Sequence, residues 1–524
     1  MSFSNLVELK TFNVFSEYFI GISALYILVV IVLISYNVYG LIVQKALSEC
    51  IGLILLLACY LILNDDLIFS KSGFELISIL GFYKASITDY FAFITKLIVC
   101  FFSALYFFII ADFLKDYKLT SFEYLLVLLF AVFGLMLLCS SNDLLTAYLS
   151  IELVSLSSYV LAAFKKTSSY SAEAGVKYLV TGAISSAFFL LGSSFMYAYS
   201  GTVNVTDFWL IVSAQGWFSI NEINSLLEPF LEIGITFIIF SLFIKLALVP
   251  FHVWSLDVYE GSPTISTFFF AVITKLSFFV FLVRICYVAA FKYYDVWQFY
   301  GIVIALLSVF VGSFGGLRQR KLKTLLAYSS VSHMGYALLA FSVGTRFGAE
   351  MLLFYLVIYM LSGIGVWFVI LSTQMKQKHY TDKFSKELGD LVLLRKSNPA
   401  LALSLTLTMF SIAGIPPLVG FFAKMGIFLS VLHAKYYFVA LLAILCSVIS
   451  TFYYIRIIKI LYFENLLVGK LYHSLTSSKT LVFSITIFSL LFLFVNPTIL
   501  YLTVYKAVLC SFKEAAFALV TVSF

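Results

Sequence analysis

Charge is scarce in this sequence. Asp, Glu, Lys and Arg make up 11% of its 524 residues, 62% are hydrophobic, and the mean hydropathy is +1.06. A water-soluble domain of that composition would expose very large apolar surfaces, so lipid is the solvent the chain requires. Cysteine is sparse and unpaired: Cys50, Cys59, Cys100, Cys139, Cys286, Cys446 and Cys510 form no CxxC pair and no ligand-like spacing. That argues against iron–sulfur and structural zinc sites, whose thiolates need closely paired positions, and leaves the seven as small buried hydrophobes. The five histidines, His252, His333, His379, His433 and His473, form no repeated helical pair of the kind that grips a haem. Nucleotide fingerprints are missing too, since GSFGG at Gly312 to Gly316 does not join a strand to a helix and no GxxxxGK[ST] occurs. Glu8 and Glu17 precede the first apolar run without a basic region or small-residue cleavage site, so insertion is expected to begin with the first mature helix. The formal charge of +7 needs no nucleic acid, because basic loops held on one membrane side account for it.

What the chain has instead is long apolar sequence. Stretches such as 20–35, 97–111, 230–244 and 302–314 are apolar around the whole helical circumference, and they lack the alternation a transmembrane β-barrel would need. An all-α integral membrane protein is expected, with about fourteen spans of about 20 residues each. The spans fall at 19–40, 45–63, 88–112, 122–140, 142–164, 172–200, 230–256, 263–291, 297–317, 321–343, 350–373, 399–432, 436–462 and 480–503. No soluble domain remains. The connection 374–398, with Lys376, Lys378, Lys383, Lys386, Arg395 and Lys396, reads as a cationic loop. Loops after odd-numbered spans carry roughly 17 Lys and Arg against roughly 8 on the other side, which places them inside and the N-terminus and the 201–229 loop outside.

Against this background, ionisable residues at bilayer depth need a reason, since each costs on the order of 3 kcal/mol even on the gentlest insertion scale. Glu152 lies about ten residues into the fifth span; Lys245, Lys275 and Lys424 are flanked by apolar residues on both sides; Lys177 lies nearer the start of its span. Snorkelling of the long stem is the competing account for the lysines, strongest for Lys177. One acid and several lysines in one bundle suggest mutual pairing, with protonation sensitive to the movement of neighbours, and Glu152 is expected to face Lys245. His333 can extend a proton path, although a buried histidine is often structural.

Pro250 removes the amide that would bond the Leu246 carbonyl, and Pro416 and Pro417, preceded by Gly414, interrupt the twelfth span two turns before Lys424. Two interrupted segments in corresponding halves point to an inverted-repeat transporter core; kinks used only for packing are the alternative. The expected division is an N-terminal group of helices at 1–115, a first five-helix repeat at 120–291, a second at 297–463, and a C-terminal helix and tail at 464–524.

YLSIELVSLSSYVLAA, SAEAGVKYLVTGAISSAFFLLG, IKLALVPFHVWSLDVYEGSPT, KLKTLLAYSSVSHMGYALL, TMFSIAGIPPLVGFFAKMGIF and FYYIRIIKILYF stand in this order across roughly 120–465. In these segments the sequence resembles the antiporter-like membrane-arm subunits of respiratory complex I (NADH:ubiquinone oxidoreductase), and among them the subunit 2 type. The resemblance implies a proton-translocating subunit driven by quinone reduction elsewhere. NADH, FMN, iron–sulfur clusters and ubiquinone would bind to partner subunits, and this chain would hold no cofactor. Glu152, Lys245, Lys275 and Lys424 match the family's charged positions in its fifth, seventh, eighth and twelfth helices, with Lys177 and His333 on family-like positions. The implied partners are other membrane-arm subunits, including neighbouring antiporter-like ones, and membrane lipids. The excess of Phe (57) and Tyr (34) resembles organelle-encoded proteins and favours the mitochondrial inner membrane over a bacterial plasma membrane. A stand-alone or multi-subunit cation/proton antiporter and a structural spacer are the competing readings.

Overall fold

The computed structural model describes residues 15–34, 40–71, 79–81, 84–117, 119, 121–214, 222–376, 383–384, 387–392, 394–464, 471–472 and 477–511. Glu8, Lys378, Lys386, His379 and His473 lie outside the described residues. The principal helices are α1 (Phe15–Ile34), α2 (Gly40–Lys71), α3 (Tyr90–Ile110), α4 (Glu123–Ser140), α5 (Leu144–Ala163), α6 (Ser169–Ser200), α7 (Glu222–Leu246), α8 (Val253–Gly261) and α9 (Thr264–Val272). They continue as α10 (Thr274–Arg284), α11 (Tyr294–Gly316), α12 (Leu322–Ser342), α13 (Arg346–Ser372), α14 (Pro399–Ala413), α15 (Val419–His433), α16 (Tyr437–Tyr462), α17 (Ser477–Val495) and α18 (Thr498–Ser511). Helices are the form this sequence must take, because in lipid every backbone polar group has to be satisfied within the segment. Polar residues at the ends close them: the Asp89, Asp143 and Thr345 side chains accept from the amides of Ala92, Leu145 and Gly348.

Among the described residues eleven helices are long and apolar enough to cross a membrane, or twelve with the bent pair α17–α18 taken as one span. Two more crossings are too polar or too short to qualify alone. One is α12, which carries Lys323, His333 and several serines; the other is the broken unit α14–α15. Fourteen segments result, as the hydropathy predicts. The pair α9–α10 and helix α13 are almost wholly enclosed by the others, whereas α1, α6 and α16 present most of their surface outward.

Several boundaries differ from those read in the sequence. The expected 201–229 loop contains a helix at Val205–Ala214 and the first turns of α7, with Pro229 inside that helix. The span expected at 263–291 is interrupted at Ile273 and ends in a π-helical turn, Ile285–Ala289. Thr274 Oγ1 bonds back to Phe270 O at 3.0 Å beside the interruption, a contact that bends helices. The span expected at 480–503 turns by 82° where Pro497 follows Asn496, and α18 then packs across α3 and α13. Part of the cationic connection forms a small antiparallel sheet, in which Gln374–Lys376 pairs with Lys383–Phe384 and with Leu471–Tyr472.

The two ends of the bundle are distinct. At one, Lys84 pairs with Asp207 at 2.8 Å, and the 84–88, 140–143 and 202–207 connections bond to one another. At the other, Lys321 pairs with Glu260, Lys323 Nζ donates to Ser262 O at 2.7 Å, and Arg456 donates to Leu317 O at 3.2 Å. This second, basic end carries Arg318, Arg320, Lys321 and Lys323.

Candidate functional site

Both expected helix breaks are present, and at each a side chain bonds a carbonyl in the last turn of the first helix. Between α7 and α8 the chain leaves the helix at Ala247, which takes the left-handed region at φ 58°, and passes through Pro250. The Trp254 indole donates to Ile244 O at 3.0 Å across that break. Between α14 and α15 Gly414 adopts φ 82°, Pro416 and Pro417 follow, and Lys424 Nζ donates to Ala413 O at 2.8 Å. The second break is thus capped by one of the lysines picked out in the sequence, in the way cations favour helix C-termini.

Lys245 and Glu152 are not in contact. Lys245, the penultimate residue of α7, donates to Tyr159 Oη at 3.3 Å and lies 5.7 Å from the centre of that ring, while Glu152 accepts from Ser155 at 3.0 Å. Tyr159 follows Glu152 by seven residues, so it shares the same face of α5 about 10 Å further along. The lysine's contact on α5 is thus Tyr159, two turns along the helix from Glu152, and not the carboxylate. Glu152 is half-buried rather than enclosed.

Lys275, His333 and Lys424 occupy the interior and are all nearly fully buried. Lys275 Nζ makes no hydrogen bond among the described residues and lies 5.5 Å from the centre of the Tyr359 ring. Lys424 Nζ lies 5.5 Å from the Tyr336 ring centre. His333 stands among these aromatic rings, with Nδ1 2.5 Å from Tyr355 Oη, Nε2 3.1 Å from Tyr454 Oη, and its ring 5.4 Å from that of Tyr359. Lys177 is elsewhere: its side chain is 43% exposed on α6 and pairs with Glu173 and Asp257, each at 2.7 Å. The structure therefore gathers Lys275, His333 and Lys424 into one aromatic-lined interior, sets Lys245 beside Tyr159 at the first break, and leaves Lys177 on the rim.

Residues 141–450 match the family model described as NADH:quinone oxidoreductase/Mrp antiporter, TM. The chain belongs to this family. It is 38% identical over 400 residues to NADH-ubiquinone oxidoreductase chain 2 of Marchantia polymorpha, covering 76% of this chain and 79% of that one. It is 40% identical over 344 residues to NADH-quinone oxidoreductase subunit N of Rhodospirillum rubrum, covering 66% and 68%. A chain of respiratory complex I from Thermus thermophilus superposes with a TM-score of 0.73 at 25% identity, covering 94% of this chain and 99% of that one. A chain of the Mrp complex from Dietzia shares the fold at a TM-score of 0.79 and 17% identity, covering 97% and 98%.

Within this family member the sequence reading passed over two buried ion pairs. Glu17 pairs with Lys96, and Glu17 also accepts from Ser16 at 2.8 Å and Ser140 at 3.3 Å; Arg284 pairs with Asp89 at 3.1 Å and reaches Cys139 O at 3.4 Å. Lys96, in FAFITKLIVCFF, and Arg284, in FLVRICY, carried the same signal as the other membrane lysines, a charge inside apolar sequence. Glu17 looked like a flank ahead of the first span, yet α1 begins before it. The tyrosines lining the interior had no signal of their own, because tyrosine is common throughout the chain.

Proposed function

We propose that this chain is the subunit 2-type, proton-translocating component of the membrane arm of an NADH:quinone oxidoreductase, driven by quinone reduction in partner subunits. The observation that supports this best is Lys275, a buried amine in the interior with no hydrogen-bond partner among the described residues, which can bind and release a proton without breaking an ion pair. Protons pass along Glu152 and Lys245 in the first repeat, through Lys275, and on by His333 to Lys424 in the second. Lys177, paired with Asp257, acts at the rim. The repeats at 120–291 and 297–463 are inverted copies, each contributing one broken helix, with 1–115 and 464–524 flanking them. NADH, FMN, iron–sulfur clusters and ubiquinone bind to partner subunits, and the outward faces of α1, α6 and α16 meet lipid and neighbouring antiporter-like subunits. The address is the mitochondrial inner membrane, with the N-terminus on the intermembrane-space side and the basic end in the matrix.

Affinity purification of the tagged chain from mild detergent tests this reading. NADH:quinone reductase activity and flavin are expected to co-purify, and a tag on the 201–229 segment is expected to be protected from protease on the matrix side. Recovery of the chain without either, together with cation/proton exchange in vesicles, would move the assignment to an antiporter.

A further inference from the structure

GSFGG, which is no nucleotide site, lies where α11 packs on α12 and α16. Its glycines allow unusually close approach: a Cβ on Gly312 would fall 2.6 Å from the Ser332 amide nitrogen, and one on Gly316 2.9 Å from the Tyr453 ring. Against this contact α16 presents Tyr453 and Tyr454. Tyr453 Oη donates to Tyr454 Oη over 3.5 Å, Tyr454 Oη meets His333 Nε2 at 3.1 Å, and Tyr355 Oη meets Nδ1 at 2.5 Å. The four side chains are buried. A neutral imidazole held by hydroxyls at both nitrogens must donate at one and accept at the other, which is the arrangement a proton relay requires.

The chain of hydroxyls also has a direction. Helix α12 starts beside the basic cluster and reaches His333 after eleven residues, about 16 Å. Helix α16 runs the opposite way and arrives at the same end, where Arg456 bonds Leu317 O. Tyr453 and Tyr454 lie less than a turn before Arg456, and side chains in a helix lean toward its N-terminus, so both hydroxyls reach back from the basic end toward His333. Ser329 stands beside Tyr454, and Ser332 and Ser450 beside Tyr453. Each serine gives its own proton to a carbonyl of its helix, to Leu326, Ser329 and Ser447 respectively, which leaves its oxygen free to accept.

We infer that α11, α12 and α16 enclose a branch of the proton path that runs from the basic end to His333, with Tyr453 and Tyr454 as its hydroxyl relay. The inference rests on the proton-translocation reading and adds the route by which protons reach the central histidine. A proton bound at Tyr453 Oη displaces that hydroxyl's own proton to Tyr454 Oη. Tyr454 passes its proton to Nε2, Nδ1 releases its proton to Tyr355 Oη, and Tyr355 hands one on toward the lysines. One proton enters, one leaves, and no electron moves. The imidazole ends as the other tautomer and resets by turning.

Tyr454→Phe keeps the ring and removes only the hydroxyl. In the assembled complex in sealed vesicles, the ratio of protons pumped to NADH oxidised is expected to fall by this subunit's share in Tyr454→Phe and in Tyr453→Phe. It should stay normal in Tyr106→Phe, which removes a buried hydroxyl bonded to Ile265 O in another part of the bundle. A normal ratio in both relay variants, alongside a lowered ratio in Lys275→Met, overturns the branch and leaves the function standing. A normal ratio in Lys275→Met overturns the function itself. An equal fall in Tyr106→Phe also overturns the branch, since any lost hydroxyl would then suffice. Should Tyr454→Phe fail to assemble, Tyr453→Phe decides alone.

Discussion

Lys424 is held by backbone as much as by side chains. Its Nζ caps the Ala413 carbonyl, and the next residue, Gly414, has φ 82°, a conformation that costs an L-residue about 1–2 kcal/mol. A Cβ at Gly414 would also stand 2.7 Å from Lys424 Cδ, so alanine there meets the lysine stem as well as backbone strain. Gly414→Ala is expected to lower the thermal stability of the assembled subunit by at least that amount and to reduce proton pumping by displacing Lys424. A variant that melts and pumps like the wild type would show that the break tolerates another geometry. Lys245 illustrates a different residue-scale point. Its partner is the Tyr159 hydroxyl rather than the Glu152 carboxylate, so its charge is not fixed by a contact ion pair, and motion of α5 relative to α7 can change how strongly Glu152 acts on it.

At the scale of elements, α1 is mostly exposed on its outer face, and the Glu17–Lys96 pair is a buried polar contact that ties it to α3 and, through Ser140, to α4. Removing one member of a buried pair strands the other, at a cost of about 3–5 kcal/mol, whereas removing both together is often nearly neutral. Lys96→Met is therefore expected to loosen the docking of α1, read as faster proteolysis of the N-terminal region in detergent, and Glu17→Gln with Lys96→Met to restore much of it. Equal damage in single and double variants would mean the pair does not act as a unit. The same elements show what a sequence makes legible. Lys245, Lys275 and Lys424 were visible, because a charge inside twenty apolar residues is a local anomaly, and so were both breaks, because proline acts on its own helix; Lys96 carried the same signal and was passed over. Partners were not visible, since they depend on the axial register of helices distant in sequence: a two-turn offset replaced Glu152 by Tyr159. The bend at Pro497 carried the same proline signal inside the span expected at 480–503 and was passed over, whereas the strand pairing of 374–376 lay in a segment too short to carry a periodic signal.

Across the whole molecule, Lys275, His333 and Lys424 share the enclosed centre with no carboxylate in contact among the described residues, while ion pairs such as Lys84–Asp207 and Lys321–Glu260 lie at the two ends. That distribution suits a transporter. Paired charges hold the ends, and the amines able to change protonation lie between the two breaks, with Lys275 on the helix that leads from the first half of the chain to the second. The most direct test is the number of protons pumped per NADH oxidised by the assembled complex in sealed vesicles carrying Lys275→Met. Methionine retains most of the stem volume and removes the proton site. The ratio is expected to fall with assembly intact, and Lys275→Arg is expected not to restore it fully, because guanidinium hardly deprotonates near neutral pH. An assembled Lys275→Met complex that pumps at the normal ratio would contradict the account.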